Sequence, residues 1–137
     1  MIDVPALLIE WLNTSNKLDS LIDGRIYGVR LPVDLVGSPT IKKTVVLACR
    51  GGRGNPFATN LIQPSVQFSC YGETSVEAWK VYRALHDFLW PKQNLWVGEA
   101  WLQWSHEEVG AQDVVDQRGN WPFVLTFWRF EFRNDVP

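Results

Sequence analysis

The clearest pattern in the chain is an alternation of apolar and polar residues from Ser65 to Tyr71. Val66, Phe68 and Cys70 share one face of an extended chain, whereas the residues that separate them are serine and glutamine. Because successive side chains of a strand point to opposite faces, this alternation predicts a strand that is buried on one side. Gly72 follows and is predicted to end it.

A helix is predicted directly after this strand. Thr74 and Glu77 match a capping box, in which both side chains accept hydrogen bonds from backbone amides of the first helical turn. Pro91 is expected to end the helix near Trp90. An apolar stripe recurs every three or four residues and comprises Ala78, Val81, Tyr82, Leu85, Phe88 and Leu89. This spacing is typical of a helix that packs one face on a core.

The remaining apolar runs predict one more helix and four more strands. Helical spacing predicts a helix from Val4 to Asn13, followed by a helical turn over residues 17–23. Strands are predicted over residues 26–29, 44–50, 95–105 and 121–133. The element order is therefore α, β, β, β, α, β, β. This order favours an α+β fold, a mainly antiparallel sheet with two α-helices packed on one face.

Three stretches lack a regular pattern and are predicted to be long loops. They are residues 34–43, residues 51–64 with the sequence GGRGNPFATNLIQP, and the acidic connection over residues 107–120 with the sequence EEVGAQDVVDQRGN. Loops of such length in a compact domain are usually functional or disordered.

The last predicted strand is apolar on both faces in its first half. Phe123, Leu125 and Phe127 alternate there with a second apolar face that carries Val124 and Trp128. A strand buried on both faces needs a covering layer on each side. We therefore expect another segment to cover this end of the strand.

Composition and charge limit the class of protein. A length of 137 residues suits a single domain over residues 1–137. The net charge of −2 argues against a nucleic-acid binder held by bulk electrostatics. Eight tryptophans exceed what one small core needs, so some of them are expected to face partner subunits. The first half of the chain carries the basic excess and the second half the acidic excess, which suits head-to-tail assembly.

The cysteines and the apolar segments indicate the environment in which the chain folds. Cys49 and Cys70 both lie in apolar alternating runs, which predicts buried free thiols and a reducing environment. The N-terminal stretch has neither the positively charged start nor the cleavage site of a signal peptide. No apolar segment approaches the ~18–20 residues of a membrane span, so we expect no contact with a membrane.

Two motifs suggest chemistry, and neither has the required pattern. Ser69 and Cys70 precede Gly72 at a strand–turn–helix, but a nucleophile elbow needs a further glycine before the nucleophile. His106 and the acids Glu107, Glu108, Asp113 and Asp116 lack the ligand spacing of a hard-cation loop. The acids are expected to form a solvated loop or, in a ring, a negatively charged lumen or rim that lets a polyanion pass. We predict no catalytic activity, no metal and no cofactor.

Arg50 and Arg53 flank two glycines in an RGG-like sequence. Such a fragment suits a flexible glycine loop, since a single copy in an acidic chain is a poor phosphate-binding site. The alternative is an arm that becomes ordered on assembly, with Phe57 and Leu61 as apolar anchors. We expect Arg50, Arg53 and Phe57 to contact a partner.

Taken in order, these segments resemble the tail terminator, or tail completion, proteins of long-tailed bacteriophages (siphophages). The resemblance rests on an N-terminal helix, the phrase GRIYGVRLP, a β-branched strand, the run SVQFSCYGETSVEAWKVYRALHDFL and a pair of terminal strands. It covers roughly residues 20–133. The tryptophan-rich C-terminal half and the segment over 51–63 depart from the family pattern.

The resemblance implies a subunit that assembles as a homohexameric ring on the tail tube. Such a ring stops tube polymerisation and provides the surface for joining the connector or neck protein of the head, and genomic DNA passes through its lumen without specific binding. The location implied is the head–tail junction of the virion, after assembly in the host cytoplasm. Two alternatives stay open: a component of the head-side neck, and a small ligand-binding domain with a pocket among its aromatic strands.

Overall fold

The computed structural model describes residues 2–29, 31, 41–55, 58–90 and 92–133, and of residues 53–55 and 58–60 it describes the backbone alone. The helices are α1 (Val4–Leu12), α2 (Asn16–Ile22) and α3 (Ser75–Leu89). The strands are β1 (Ile26–Gly28), β2 (Thr44–Asn55), β3 (Ala58–Tyr71), β4 (Gln93–Val97), β5 (Ala100–Asp116) and β6 (Trp121–Arg133).

Each helix begins at a residue whose side chain accepts a backbone hydrogen bond. Asp3 caps α1, Ser15 caps α2 and Thr74 caps α3. The predicted capping box of α3 is present, with one difference: the Glu77 carboxylate accepts from the amide of Glu73 at 3.1 Å rather than from that of Thr74. In the described part of the chain, no helix combines the length and apolarity needed to cross a membrane.

The six strands form one mixed sheet in the order β1-β2-β3-β6-β5-β4. β1 is parallel to β2, and the other neighbouring strands are antiparallel. The predicted α+β fold is confirmed. The number of helices differs from the predicted two, because residues 16–22 form a complete helix rather than a turn. Leu18 and Ile22 stabilise it by full burial.

The core lies between the three helices and one face of the sheet. The alternation predicted for β3 is confirmed, since Val66, Phe68 and Cys70 are fully buried on that face. Their neighbours in register on β6 are Trp128, Thr126 and Val124, which are also fully buried. The helices contribute the stripe of α3 together with Leu8, Leu12, Leu18 and Ile22. This side of the sheet accounts for most of the buried apolar residues.

A smaller cluster covers one end of the opposite face. Leu31 and Ile41 pack there against Tyr71 and Trp121, and Phe123 packs at the margin. The expected cover over the start of the last strand is therefore present at Phe123. Farther along β6, the open face of the sheet has no helix over it within the described residues, and Leu125 and Phe127 are half-buried.

Two of the predicted loops are strands. Residues 51–55 and 58–64 extend β2 and β3 into a long hairpin, and residues 107–116 belong to β5. Register shifts explain why the sequence of β5 does not show a regular strand pattern. β5 is irregular at three places between Leu102 and Gln112, and each irregularity interrupts the alternation of apolar and polar residues. The strand predicted over 95–105 is two strands, because Gly98 and Glu99 form a two-residue turn.

Cys70 is buried as predicted, but the prediction for Cys49 is wrong, because its side chain is exposed. Cys49 lies on the helix-covered face beside Val66. It is at the margin of the core, however, where β1 no longer flanks β2 and only the first residues of α1 lie near. The loop predicted over 34–43 lies largely outside the described residues.

Candidate assembly surfaces

The hairpin of β2 and β3 extends beyond the rest of the sheet. β1 pairs with β2 only over Val45–Leu47, and β6 pairs with β3 no farther than Leu61. β2 continues past Leu47 without β1, and its Arg53 lies opposite Gln63 of β3. Beyond Leu61, β3 pairs with β2 alone among the described strands, with Asn55 opposite Ala58. We call residues 50–55 and 58–63 the β2–β3 arm. The outer edge of its β2 strand, and the edge of β3 before Leu61, have no neighbour among the described strands, so their backbone groups are available to a partner.

A glycine bulge sets the direction of the arm. The register shifts between Cys49 and Gly52, and Gly51 and Gly52 have φ angles of +88° and +130°. A Cβ atom on Gly52 would overlap the carbonyl oxygen of Gln63 and lie 2.7 Å from the Cα of Pro64. Only glycine fits this backbone. The glycines therefore form a fixed bend between the arm and the sheet.

Two of the three residues predicted to contact a partner belong to the described part of this arm. Arg50 is exposed at the start of the arm. For Arg53 the strand pairing is described but not the side chain, and Phe57 lies outside the described residues. The arm therefore holds Arg50 and Arg53 on one strand, and their predicted contacts stay a prediction.

Two of the predicted rim acids are hydrogen-bonded to elements of the core. The Glu107 carboxylate accepts hydrogen bonds from the Tyr82 hydroxyl at 2.7 Å and from the Thr126 hydroxyl at 2.6 Å. The Asp113 carboxylate accepts from the indole Nε1 of Trp79 at 2.7 Å. Because Tyr82 and Trp79 belong to α3, these acids attach the helix to β5.

Glu108 lies on the other side of β5, over the open face of the sheet. It accepts a hydrogen bond from the Ser65 hydroxyl at 2.7 Å and forms an ion pair with Arg129 at 3.0 Å. Burial opposes its ionisation, but the hydrogen bonds from Ser65 and Arg129 outweigh burial and hold the pKa of Glu108 below its usual value.

Asp116 lies at the turn that joins β5 to β6. It accepts hydrogen bonds from the Arg118 guanidinium at 2.7 Å and from the Tyr71 hydroxyl at 2.9 Å. The hydrogen bond from Arg118 lowers the pKa of Asp116 to about 2 despite partial burial. The structure thus distributes the four acids over both faces of β5, each with a partner in the same chain, instead of grouping them in one loop.

The tryptophans divide into core and surface groups. Trp121 and Trp128 are buried, whereas Trp90 and Trp96 are 52% and 51% exposed. Trp96 contacts Trp101 edge-to-face at a centroid distance of 5.4 Å across the β4–β5 hairpin. The number of tryptophans indicated that some lie on the surface. It did not identify the exposed tryptophans, because the turn and the bulges interrupt the alternation of apolar and polar residues in β4 and β5.

Neither residue of the strand–turn–helix is placed as a nucleophile. Ser69 and Cys70 are both buried, and burial raises the pKa of the Cys70 thiol. Deprotonation of this thiol is therefore disfavoured at neutral pH. Within the described ranges, no group of three or more histidine, cysteine, aspartate or glutamate side chains is placed to hold a metal ion.

No protein-family model matches the sequence, and no curated protein matches it. Among solved structures, the fold is similar to that of a chain in a structure described as the virion of the native gene transfer agent (GTA) particle. The TM-score is 0.70 at 14% sequence identity, and the match covers 95% of this chain and 94% of that chain. At this identity the likeness shows a shared fold.

Proposed function

We propose that this chain is a structural virion protein, a tail terminator that caps the end of a bacteriophage tail tube. The observation that supports the proposal most is the likeness in fold to a chain of the gene transfer agent virion. The likeness spans nearly the whole of both chains rather than a common core, with a TM-score of 0.70. The family resemblance of the sequence supports the same assignment independently.

In the proposed assembly, six copies form a ring on the last layer of the tube. One side of the ring binds the tail tube protein, and the other side lacks the surface on which the next layer would assemble. Polymerisation therefore stops, and the exposed side joins the connector or neck protein of the head. Because neighbouring subunits of a ring contact each other through different surfaces, each subunit needs two complementary faces.

The β2–β3 arm is the proposed contact with a neighbour or with the tube. Among the described residues, its outer part from Asn55 and Ala58 pairs only within the hairpin, and its direction is fixed by the glycine bulge. Arg50, Arg53 and Phe57 are the proposed contact residues. Deletion of residues 52–60 is expected to leave a folded subunit that fails to join tails, and normal particles from this mutant would contradict the assignment.

A lumen or rim role is proposed for the acids of β5, namely Glu107, Glu108, Asp113 and Asp116. Glu108 and Asp113 are the better candidates, because β5 is largely exposed from Glu108 to Asp113. Negative charge there would let DNA pass without binding. Glu107 and Asp116 are half-buried and therefore present less of their charge to a lumen.

Electron microscopy of particles that lack this protein tests the proposal. Loss of a terminator gives overlong tubes, whereas loss of a head-side neck component gives free tails of normal length. Mass analysis of purified particles shows in parallel whether the protein is present. A strict monomer that is absent from particles would support the ligand-binding alternative instead. A cavity of about 490 Å³ is present, but it lies beside α1 rather than among the aromatic strands.

A further inference from the structure

The outward face of α3 is basic at its centre and apolar at its ends. Lys80 and Arg83 are exposed there, and none of the ion pairs in the described part of the chain includes either residue. Val76 and Trp90 flank them and are 65% and 52% exposed. Asp87, the acid on the same face, is paired with a lysine of α2 at 3.0 Å. We call these residues the basic face of α3.

A groove of the opposite character runs along α1. A cavity of about 490 Å³ between α1 and the β4–β5 turn is lined by Asp3, Glu10 and Glu99, with no lysine or arginine in its lining. An adjoining cavity of about 420 Å³ shares Glu10 and adds Trp11 and Trp96. Together they form the acidic groove, in which carboxylates alternate with aromatic and aliphatic surface.

These two surfaces do not neutralise each other within one chain. Neither Lys80 nor Arg83 lies within ion-pair distance of Glu10 or Glu99 among the described residues. Surfaces that are complementary but separate on one subunit meet when one copy contacts the next. We propose that the basic face of α3 docks into the acidic groove of a second copy, a contact that rests on the proposed ring.

A second copy fits the basic face better than nucleic acid does. Two cations without internal partners give little affinity for a polyanion, and the chain has a net charge of −2. Exposed Trp90 and Arg83, on the same face of the helix, are instead of the residue types that dominate protein–protein contacts. The groove offers carboxylates to the cations of the face. It offers Trp11 and Trp96, which line the same cavity, to one of the apolar ends.

The groove is long enough for the two cations of the basic face. The groove follows α1, which has nine residues and is therefore roughly 13 Å long. Two turns of α3 centred on Lys80 and Arg83 have a length of roughly 11 Å. The two cations can thus lie in the groove at the same time.

Charge reversal on each side tests the docking. One variant combines Lys80→Glu with Arg83→Glu, and the other combines Glu10→Lys with Glu99→Lys. Each variant places like charges in the contact, so its self-association at low salt should weaken at least about tenfold relative to the wild-type chain. Sedimentation velocity over a concentration series measures the association. Unchanged association of either variant, or a wild-type chain that is monomeric at roughly 1 mM, would overturn the proposal.

The two variants are each other's control. An equimolar mixture should associate again, because each reversed face then meets a groove of opposite charge. A chain with all four substitutions keeps the wild-type net charge and should also associate, which excludes misfolding and bulk charge as causes of the loss. Failure of both rescues would contradict the docking.

Two further outcomes separate this contact from other functions. If Lys80→Glu with Arg83→Glu loses affinity for a short DNA duplex while its self-association is unchanged, the face binds nucleic acid and the proposal is wrong. If the rescues succeed but particles without the protein have normal tails, the docking stands and the terminator function fails.

Discussion

The two long hairpins of the sheet differ in what holds their charged residues. In the β5–β6 hairpin, Glu107 and Asp113 accept hydrogen bonds from α3, and Asp116 is held by Tyr71 and Arg118. Every acid predicted to form a free rim therefore has a partner in the same chain.

The β2–β3 arm shows the opposite arrangement. Arg50 is exposed with no hydrogen bond or ion pair among the described residues, and the strand that carries it has no neighbour on its outer edge beyond Leu47. The bulge at Gly51 and Gly52 sets the direction of the arm.

The difference separates charges that stabilise the subunit from charges that are available to a partner. Substitutions in the β5–β6 hairpin should lower the free energy of unfolding, because they remove contacts within the subunit. Substitutions of arginine in the arm should leave that free energy nearly unchanged and affect assembly only.

The largest loss of stability is expected for Glu107→Ala. This change removes the acceptor of the Tyr82 hydroxyl and the shorter of the two hydrogen bonds of the fully buried Thr126 hydroxyl, which keeps only the Val109 carbonyl at 3.3 Å. Hydrogen bonds to a charged group contribute about 1.5–3 kcal/mol, so the free energy of unfolding should fall by about 2–3 kcal/mol. Equilibrium denaturation in urea measures it.

Glu107→Gln is the matched control, because both hydroxyls donate to the same carboxylate oxygen, Oε2. An amide oxygen in that place can accept both hydrogen bonds but lacks the charge that strengthens them. It should cost about half as much as Glu107→Ala. Equal, small losses for both variants would show that Glu107 does not stabilise the contact between α3 and the sheet. Its charge would then be available for the lumen.

A somewhat smaller effect is expected for Gly52→Ala. The added Cβ atom would meet the backbone of Gln63 and Pro64 at a φ of +130°, a conformation that costs roughly 1–3 kcal/mol for residues other than glycine. Urea denaturation should show a loss of about 2 kcal/mol. Gly28→Ala is the control, because a Cβ there meets no atom within 4 Å. Equal stability of the two variants would mean that the bulge does not fix the arm.

A third prediction concerns pH and Asp116. Its pKa is lowered from 3.8 to about 2 in the folded chain, so its ionised form stabilises the fold above pH 4. That stabilisation is lost as the pH falls from about 4 to about 2. Because Arg118 is 46% exposed, the contribution is about 1 kcal/mol after solvent screening. Asp116→Asn should be less stable than the wild-type chain at pH 7.

The pH dependence of that difference is the decisive measurement. The difference in the free energy of unfolding between Asp116→Asn and the wild-type chain should become smaller as the pH falls towards 2. Protonation removes the same charge from the wild-type side chain. If this difference in the free energy of unfolding is constant from pH 7 to pH 2, the effect of the substitution is due to packing rather than to ionisation.

The sequence predicted the centre of the fold better than its periphery. The strand through Phe68 and the capped helix after Thr74 follow uninterrupted periods of two and 3.6 residues, and both are confirmed. Prediction failed in β5, where three register shifts break the alternation, and in the arm, where glycines conceal a strand. Bulges are set by tertiary packing, which a residue pattern does not contain.

The candidate sites were predicted less well for a related reason. The acids of β5 were identified from their charge, but their partners in α3, β3 and β6 are distant in the sequence. The prediction for Cys49 failed because alternation assigns a face and not the extent of its cover. Long-range contacts of this kind require the fold.

The smallest change in stability is expected for Arg50→Ala. This substitution tests whether a charge of the β2–β3 arm serves assembly rather than the stability of the subunit. Arg50 is exposed and has no partner among the described residues, so the free energy of unfolding should change by less than about 0.5 kcal/mol. If the arm contacts a neighbour or the tube, the purified variant should nevertheless complete fewer tails in an assembly reaction than the wild-type chain. Lys42→Ala is the control, because it also removes one exposed positive charge but lies before the arm. Equal tail completion by both variants would show that Arg50 does not take part in the contact, and the arm would have no demonstrated role.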